Sequence, residues 1–395
     1  MNYQLSRRHF IQSSAAIALL QLLGGCAQGN RVSQIFFLEN SIPPQLIKDF
    51  SKSLSQEGKV IFKPQTHIPQ IFDSLFNLQH NKKPEQTIKK FINKILNKSE
   101  LSPSLITLGD TWLSEAISQD LIQPFSPESW DNWQNLPKHW QKLVRRDPQG
   151  DLADNGAVYG APYRWGCTVI AYRRDKLGSL NITLKDWEDL WQPELNDRFS
   201  LLDSPREIIG LTLKKLGGFY NSQNLDNVAN LEAELLALQR QAKLYSSDRY
   251  LEPLVLGDTW AAVAWSTDIL PLQKRYPEIE FVIPESGTSV WADIWVKPKL
   301  AESVSIPESD IQPSVSDRWI DYCWQAKTAS KISQFTNGIS PILTGVDLQD
   351  VSPKLQQDIF LNSEALNSDK SEFLLPLKPE TEKQYRDLWL KVRQS

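Results

Sequence analysis

Two residues in the stretch 284–298, PESGTSVWADIWVKP, have types and a spacing that suit the binding of a cation. Trp291 and Asp293 lie in an apolar run that predicts a strand, and alternate residues of a strand share a face. An indole face attracts a cation, and a carboxylate adds a charge-assisted hydrogen bond, so the pair would hold an amine. The alternative is an amphipathic strand with the indole in the core and the carboxylate in solvent. This stretch alone does not decide between them.

The composition is that of a folded, soluble chain. Its 395 residues allow two lobes of ordinary domain size, and 41% hydrophobic with 23% charged residues is typical of a globular protein and does not suggest long disordered regions. Residues 1–25 are predicted to be an export signal. Arg7 and Arg8 resemble a twin-arginine consensus, and the apolar run 15–23 is too short to span a bilayer.

Cys26 closes the sequence Leu-Gly-Gly-Cys, which resembles a bacterial lipobox and predicts a lipidated N-terminal residue. An ordinary cleavable signal or a chance cysteine is the alternative. The mature chain then carries 41 basic and 47 acidic residues, a net charge of −6. This charge argues against nucleic acid as a partner. Cys167 and Cys323 are expected to be small buried hydrophobes, although a disulfide between them remains open.

Short apolar runs alternate with helical patterns, which predicts an α/β fold. In one such unit the run 104–108 is followed by Asp110 and Thr111 at the start of a helix. These two residues lie in a ligand cleft if the strand ends there, because ligands of open α/β sheets bind at the carboxyl ends of strands. They serve only as a helix N-cap in the alternative. Both readings stay open.

Further elements follow from the same patterns. Strands are predicted at 35–38, 59–64, 167–172, 199–203 and 261–266, and helices after Pro44, at 88–96, at 187–193, after Pro205, at 231–244, at 319–335 and at 383–392. The Trp-rich segment 124–155 is expected to be an excursion between lobes, and 299–317 a surface loop. Glu207 falls in the first turn of a helix, where its charge suits the helix dipole.

Catalytic and metal-binding patterns are missing from the sequence. Of four histidines His9 lies in the signal and the others have no ligand spacing, and there is no phosphate-loop, dinucleotide or nucleophile-elbow motif. We therefore expect no enzyme activity, no cofactor and no metal.

From about Ile35 to the C terminus, the chain resembles the periplasmic polyamine-binding proteins of ABC transporters, the spermidine/putrescine branch of the bacterial extracellular solute-binding proteins. The resemblance is carried by Tyr159-Gly160-Ala161-Pro162-Tyr163-Arg164-Trp165-Gly166, Trp187-Glu188-Asp189-Leu190-Trp191-Gln192-Pro193-Glu194, Leu202-Asp203-Ser204-Pro205-Arg206-Glu207 and Val290-Trp291-Ala292-Asp293. It implies an α/β, two-lobed periplasmic binding protein fold (type II) with the ligand cleft between the lobes. The implied lobes are 32–160 plus 292–345 and 161–291 plus 346–395.

The resemblance also implies a ligand site. Glu207 and Asp293 would meet ligand amines, Trp291 and Trp265 would pack on the ligand, and Ser247 would make a polar contact. Four positions depart from the family pattern: Ser204 replaces a carboxylate, Glu39-Asn40 rearranges an acid, Gly109 stands for a serine, and Ile339 stands for a tyrosine. Because a buried ammonium needs compensating charge, these departures favour a shorter or less charged amine.

We therefore expect an exported, lipid-anchored receptor on the periplasmic side of the membrane. It would act as a monomer, capture a polyamine or similar cation and deliver it to ABC permease subunits. The alternative is a lipoprotein of the same fold that acts as an interaction or assembly factor without transport.

Overall fold

The computed structural model describes residues 32–54, 59–66, 71–73, 75–77, 103–299, 313–346, 349, 352–367 and 369–395. The strands in this part of the chain are β1 (Val32–Leu38), β2 (Lys59–Gln65), β3 (Leu105–Gly109), β4 (Ile122–Gln123), β5 (Arg145–Arg146), β6 (Ala157–Val158), β7 (Ala161–Arg173), β8 (Phe199–Leu201), β9 (Leu244–Tyr245), β10 (Ala261–Trp265), β11 (Ile279–Val282), β12 (Ser289–Pro298) and β13 (Glu372–Phe373). Eleven of them form one mixed sheet in the order β2-β1-β3-β12-β7-β10-β8-β9, with β11 on β7 and with β4 and β13 on β12.

Two long strands, β7 and β12, join the two halves of this sheet. In one half β1, β2 and β3 run parallel, and β12 lies antiparallel to β3. In the other half β8 lies between β9 and β10, and β10 lies antiparallel to β7. The first part of β7 pairs with β12 and its second part pairs with β10 and β11, so β7 changes partners near Cys167. We call β7 and β12 the crossing strands.

Helices cover the sheet. The α-helices whose bounds lie in the described part of the chain are α1 (Pro44–Ser53), α2 (Leu113–Ser118), α3 (Lys138–Leu143), α4 (Arg174–Gly178), α5 (Pro205–Lys215), α6 (Leu231–Gln241), α7 (Glu252–Leu256), α8 (Ser266–Arg275), α9 (Val315–Trp324), α10 (Ala326–Thr336), α11 (Pro353–Gln356), α12 (Ile359–Asn362), α13 (Glu364–Asn367) and α14 (Pro379–Arg393). Single 3-10 turns lie at Asp110–Trp112, Pro127–Ser129, Trp133–Asn135, Trp187–Trp191, Pro193–Leu195, Leu225–Asn227 and Pro341–Thr344.

Local sequence explains where the helices near the site begin. Pro44 and Pro205 occupy the first positions of α1 and α5, where the missing N–H has no helical partner to lose. Both helices start where the proline pattern predicts. Most predicted strands are confirmed within a residue or two at each end, but β1 begins three residues earlier than predicted, at Val32, and β7 begins six residues earlier, at Ala161. The strand that carries Trp291 and Asp293 is β12.

The predicted helix at 319–335 is wrong in two respects. It begins earlier, at Val315, because the Ser314 hydroxyl and the Asp317 carboxylate form a capping box, so residues 315–317 are helix rather than loop. It also breaks at Gln325, whose extended backbone (φ −60°, ψ 133°) separates α9 from α10. The break lets both helices contact β7. Residues 300–312 of the predicted loop lie outside the described residues.

Two other predictions have clear outcomes, and a third falls outside the described residues. The pattern at 187–193 is a 3-10 turn rather than an α-helix, and it is closed at its start by a capping box between Asp186 and Asp189. Cys167 and Cys323 are buried and unbonded to each other, as expected for small hydrophobes. The predicted helix at 88–96 lies outside the described residues.

The Trp-rich segment packs onto the crossing strands and α9. Trp130 lies edge-to-face with Trp324 at 5.3 Å between ring centroids, and its indole N–H donates to Asp317 at 3.0 Å. Trp140 contacts Trp165 of β7 and Phe373 of β13. These indoles are therefore buried structural contacts rather than the walls of a cleft.

Candidate ligand-binding site

The candidate site lies where the two crossing strands pair side by side in the sheet. Asp293 pairs with Arg164, and Trp291 pairs with Gly166. Because side chains alternate along a strand, every second residue of each strand points to the same side of the sheet. The β7–β12 face, as we name it, consists of Arg164, Gly166, Thr168, Ser289, Trp291 and Asp293.

Gly166 leaves the space that the Trp291 indole fills. A Cβ atom at this position would overlap the indole ring and would lie 2.6 Å from the Ser266 hydroxyl oxygen. Only glycine therefore lets the indole lie across β7. The Nε1–H of Trp291 is buried and meets no acceptor within the described part of the chain, so the middle of the face retains an unused donor.

Asp293 is held by a cation of the chain itself. Its side chain is 2% exposed, and its Oδ2 accepts from Nε and Nη2 of Arg164 at 2.6 and 2.5 Å. Arg164 also donates from Nη1 to the Thr336 carbonyl at 3.3 Å, and its guanidinium lies 6.0 Å from the centre of the Trp291 ring. Burial raises the pKa of Asp293, while Arg164 opposes that rise. The alternative with Asp293 in solvent is wrong.

Glu207 is held in a different way at the other end of the face. Its carboxylate, 5% exposed, accepts from the Ser289 hydroxyl at 2.6 Å, and Ser289 lies 2.9 Å from the hydroxyl of Thr168. Burial raises the pKa of Glu207, and hydrogen bonds from both hydroxyls and the charge of Arg206 counter this rise. Within the described residues no Lys, Arg or His lies within ion-pair distance of it. The neighbouring Arg206 donates elsewhere, to the Leu375 carbonyl and to Asn221.

Asp110 binds the backbone of β12 between Trp291 and Asp293. Its buried carboxylate accepts from the backbone N–H of Ala292 at 2.9 Å, and it caps no helix, so the N-cap interpretation of this side chain is wrong. Burial raises its pKa to about 7, although the Ala292 N–H and the charge of Arg146 act against the rise. Thr111 is exposed. Asp110 therefore lies between β3 and the Trp291–Asp293 segment, as a contact to β12.

The end of β10 brings a second aromatic residue and a further carboxylate. Trp265 is half-buried and packs edge-to-face on Tyr250 at 5.9 Å between centroids. The Tyr250 hydroxyl donates to Asp268 at 2.7 Å. Burial raises the pKa of Asp268, while Tyr250 and the more distant charge of Arg164 lower it. Trp265 thus lies beside the Ser266 hydroxyl that faces Gly166.

Other residues predicted from the sequence lie apart from this face. The Ser247 hydroxyl accepts from the Asp203 backbone at 3.1 Å and thereby fixes a turn after β8. Ser204 precedes α5 without a side-chain cap. Glu39 and Asn40 lie in an exposed turn after β1, and Asn40 has a left-handed backbone (φ 63°). Gly109 and Ile339 are buried in backbone pairing. The ligand roles of these residues stay predictions.

Four participants were missed by sequence reasoning: Arg164, Thr168, Asp268 and Ser289. A signal existed for Arg164, because a charged residue in the apolar run of β7 needs a buried partner. No sequence signal marked Thr168 or Ser289, since Ser and Thr are common in strands and turns of every kind.

Comparison with known proteins bears on what such a site does. Residues 102–369, more than half of the chain, match the family model described as bacterial extracellular solute-binding protein. The putrescine-binding periplasmic protein PotF of Escherichia coli is 26% identical over 50% of this chain, and the match spans 56% of its own length. The spermidine/putrescine-binding periplasmic protein of the same organism is 21% identical over 91% of this chain and 90% of its own length.

Solved structures show the same fold. PotD of Streptococcus pneumoniae, the substrate-binding protein of a spermidine/putrescine ABC transporter, superposes with a TM-score of 0.72 at 16% identity, over 92% of this chain and 99% of that one. The TpPotD lipoprotein of Treponema pallidum gives 0.66 at 16% identity, over 92% and 100%. The predicted two-lobed, type II α/β fold is confirmed.

Proposed function

Because the chain belongs to the bacterial extracellular solute-binding proteins, we propose that it captures a polyamine or similar cationic small molecule between its lobes and delivers it to the permease of an ABC importer. Membership of a family of binding proteins confirms that the chain is not an enzyme. The names of its relatives, which bind putrescine or spermidine, support the amine class.

One observation carries the proposal. Glu207 is a buried carboxylate that has hydroxyl donors but no cation in ion-pair distance within the described residues. A buried charge without a counter-ion is unfavourable, and a ligand ammonium would supply the missing cation. Ser289, which holds Glu207, is two residues from Trp291 on the same face of β12. An ammonium at Glu207 would therefore bring the ligand's methylene groups towards the indole.

Titration of the purified mature protein with spermidine, putrescine and related amines, followed by tryptophan fluorescence, tests the proposal. We expect a saturable change at micromolar amine, an affinity of about −8 kcal/mol. Glu207→Gln should weaken binding about a hundredfold, because the ammonium loses its counter-charge. The exposed Glu194→Gln is the matched control and should bind as the unmodified protein does. A response to an anion or metal and to no amine would refute the ligand class and leave the fold unaffected.

Export by the twin-arginine route and a lipid anchor on Cys26 are also part of the proposal. They rest on sequence pattern, because Arg7, Arg8 and Cys26 lie outside the described residues. None of the described helices is long and apolar enough to cross a bilayer. Cys26→Ala should abolish palmitate labelling in cells, whereas the buried Cys323→Ala should retain it. Labelling that persists in Cys26→Ala would refute the anchor.

The lobe boundaries remain proposals too: 32–160 plus 292–345, and 161–291 plus 346–395. β7 changes partners near Cys167, a few residues beyond the proposed boundary at 160/161, which is compatible with a division in this part of the chain. The alternative of an interaction or assembly factor is not favoured, because the relatives are binding proteins by name and Glu207 keeps a buried charge that a ligand would satisfy.

A further inference from the structure

We propose that Arg164 is a specificity-determining residue that occupies the place of a second ligand ammonium, so that the site selects a ligand with a single ammonium, bound at Glu207, over an α,ω-diamine. This inference rests on the proposed function. It follows from the unequal way in which the chain satisfies the two carboxylates at the ends of the β7–β12 face.

The geometry places the two carboxylates at opposite ends of one row of side chains. Ser289 holds Glu207, and Asp293 lies four residues further along the same face of β12. At a rise of about 3.3 Å per residue, the two ends are separated by roughly 13 Å. Trp291 lies between them, across Gly166. A linear amine that follows the indole would therefore direct its far end towards Asp293.

The far end already contains a cation. The Arg164 guanidinium contacts Asp293 through two nitrogens, and both side chains are buried. A second ligand ammonium would have to displace this guanidinium or lie beside a like charge in a site with little water, and either event weakens binding. An uncharged ligand end meets no such penalty. The Arg164–Asp293 ion pair therefore disfavours a second ammonium group on the ligand but does not disfavour the ligand's methylene chain.

Arg164 is fixed in this position by its surroundings. Its Nη1 donates to the Thr336 carbonyl at 3.3 Å. Its aliphatic stem passes over Gly338, where an added Cβ would lie 2.6 Å from Arg164 Cγ. The stem therefore has a path that only glycine provides, and the guanidinium is part of the folded site rather than a mobile surface charge.

Other charged groups at this end already have hydrogen-bond partners. Asp110 accepts from the Ala292 N–H at 2.9 Å, and Asp268 accepts from the Tyr250 hydroxyl at 2.7 Å. Arg146 donates to the carbonyls of Leu143 and Gly150. Arg164 is the cation that lies in direct contact with Asp293. Selectivity against a second ammonium is therefore assigned to Arg164.

The test compares unbranched monoamines with α,ω-diamines of four to six carbons, by calorimetric titration of the mature protein. The unmodified protein should bind each monoamine at least as tightly as the diamine of equal length. Arg164→Met should reverse this order and favour the diamine by about tenfold or more, because the ligand now supplies the counter-ion of Asp293. Arg174→Met, an exposed arginine just after β7, is the matched control and should keep the original order.

Each outcome distinguishes the two proposals. A preference of the unmodified protein for diamines, or an Arg164→Met variant that selects as the Arg174→Met control does, would overturn the inference and leave the proposed function intact. Failure to bind any amine would overturn both. Where Arg164→Met does not fold, the unmodified protein and the double variant Arg164→Met/Asp293→Leu decide, because removal of both charges should preserve the preference for monoamines.

Discussion

Glu207 and Asp293 have the same chemistry and a similar degree of burial, but the chain treats them differently. Asp293 has a guanidinium in contact, whereas Glu207 has only hydroxyl donors. Among the described residues, Asp293 therefore has a counter-ion in contact and Glu207 does not. A buried pair that is complete contributes to stability when kept whole, and a buried carboxylate without a cation is available to a ligand. Burial by itself thus does not identify a binding residue; the missing partner does.

The largest effect that would test this comparison is loss of one member of the ion pair. Asp293→Ala should reduce the free energy of unfolding by about 3–5 kcal/mol, because the buried guanidinium of Arg164 loses its counter-ion. Urea unfolding followed by tryptophan fluorescence measures the loss. Glu207→Gln is the matched variant and should change stability by less than about 1 kcal/mol, since a glutamine oxygen still accepts from Ser289. Equal losses in the two variants would contradict the comparison.

A smaller effect on stability is expected from a substitution at Gly166, which lies between Glu207 and Asp293. Gly166→Ala should cost about 1–3 kcal/mol, because the new methyl group overlaps the Trp291 indole and the Ser266 hydroxyl. It should also weaken amine binding, since the indole must move away from the face. Gly178→Ala is the control: no atom lies within 4 Å of its added methyl group, so it should leave stability and binding unchanged. An unperturbed Gly166→Ala variant would show that Trp291 is free to shift.

The last effect concerns pH. Burial raises the pKa of Asp110 from 3.8 to about 7, so the folded protein holds a proton that the unfolded chain has lost between these values. The contribution of Asp110 to stability is therefore full below pH 3.8 and is lost as the pH rises through about 7. Asp110→Asn should reduce the fall in Tm across this window by a few degrees. A parallel pH profile for both proteins would refute the raised pKa.

Sequence reasoning succeeded where a single segment contains the signal. The alternation in β12 placed Trp291 and Asp293 on one face, and proline placed the starts of α1 and α5. It failed where the answer depends on a partner far along the chain. The ion pair joins residues 129 positions apart, and only the register of β7 against β12 brings them together. The break at Gln325 gave no warning either, because no proline or glycine marks it.

The same limit explains the scatter of the predicted site. Glu207, Trp265, Trp291 and Asp293 converge on the crossing strands or beside them. Ser247 stabilises a turn, and Glu39 lies on the surface. A motif inherited from a family identifies a position in the fold, whereas the role of the side chain there depends on its neighbours.

One strand carries the contacts to both ends of the site, and this has a consequence for how ligand size is sensed. Ser289 and Asp293 belong to one continuous strand, β12, so their spacing is set by backbone geometry, and the proposed lobe boundary at 291/292 lies between them. Because an extended strand can lengthen very little, we expect a hinge at this boundary to change how fully a ligand is enclosed more than the length of ligand that fits. We expect the optimal carbon number to be the same in binding to the isolated protein and in uptake by whole cells.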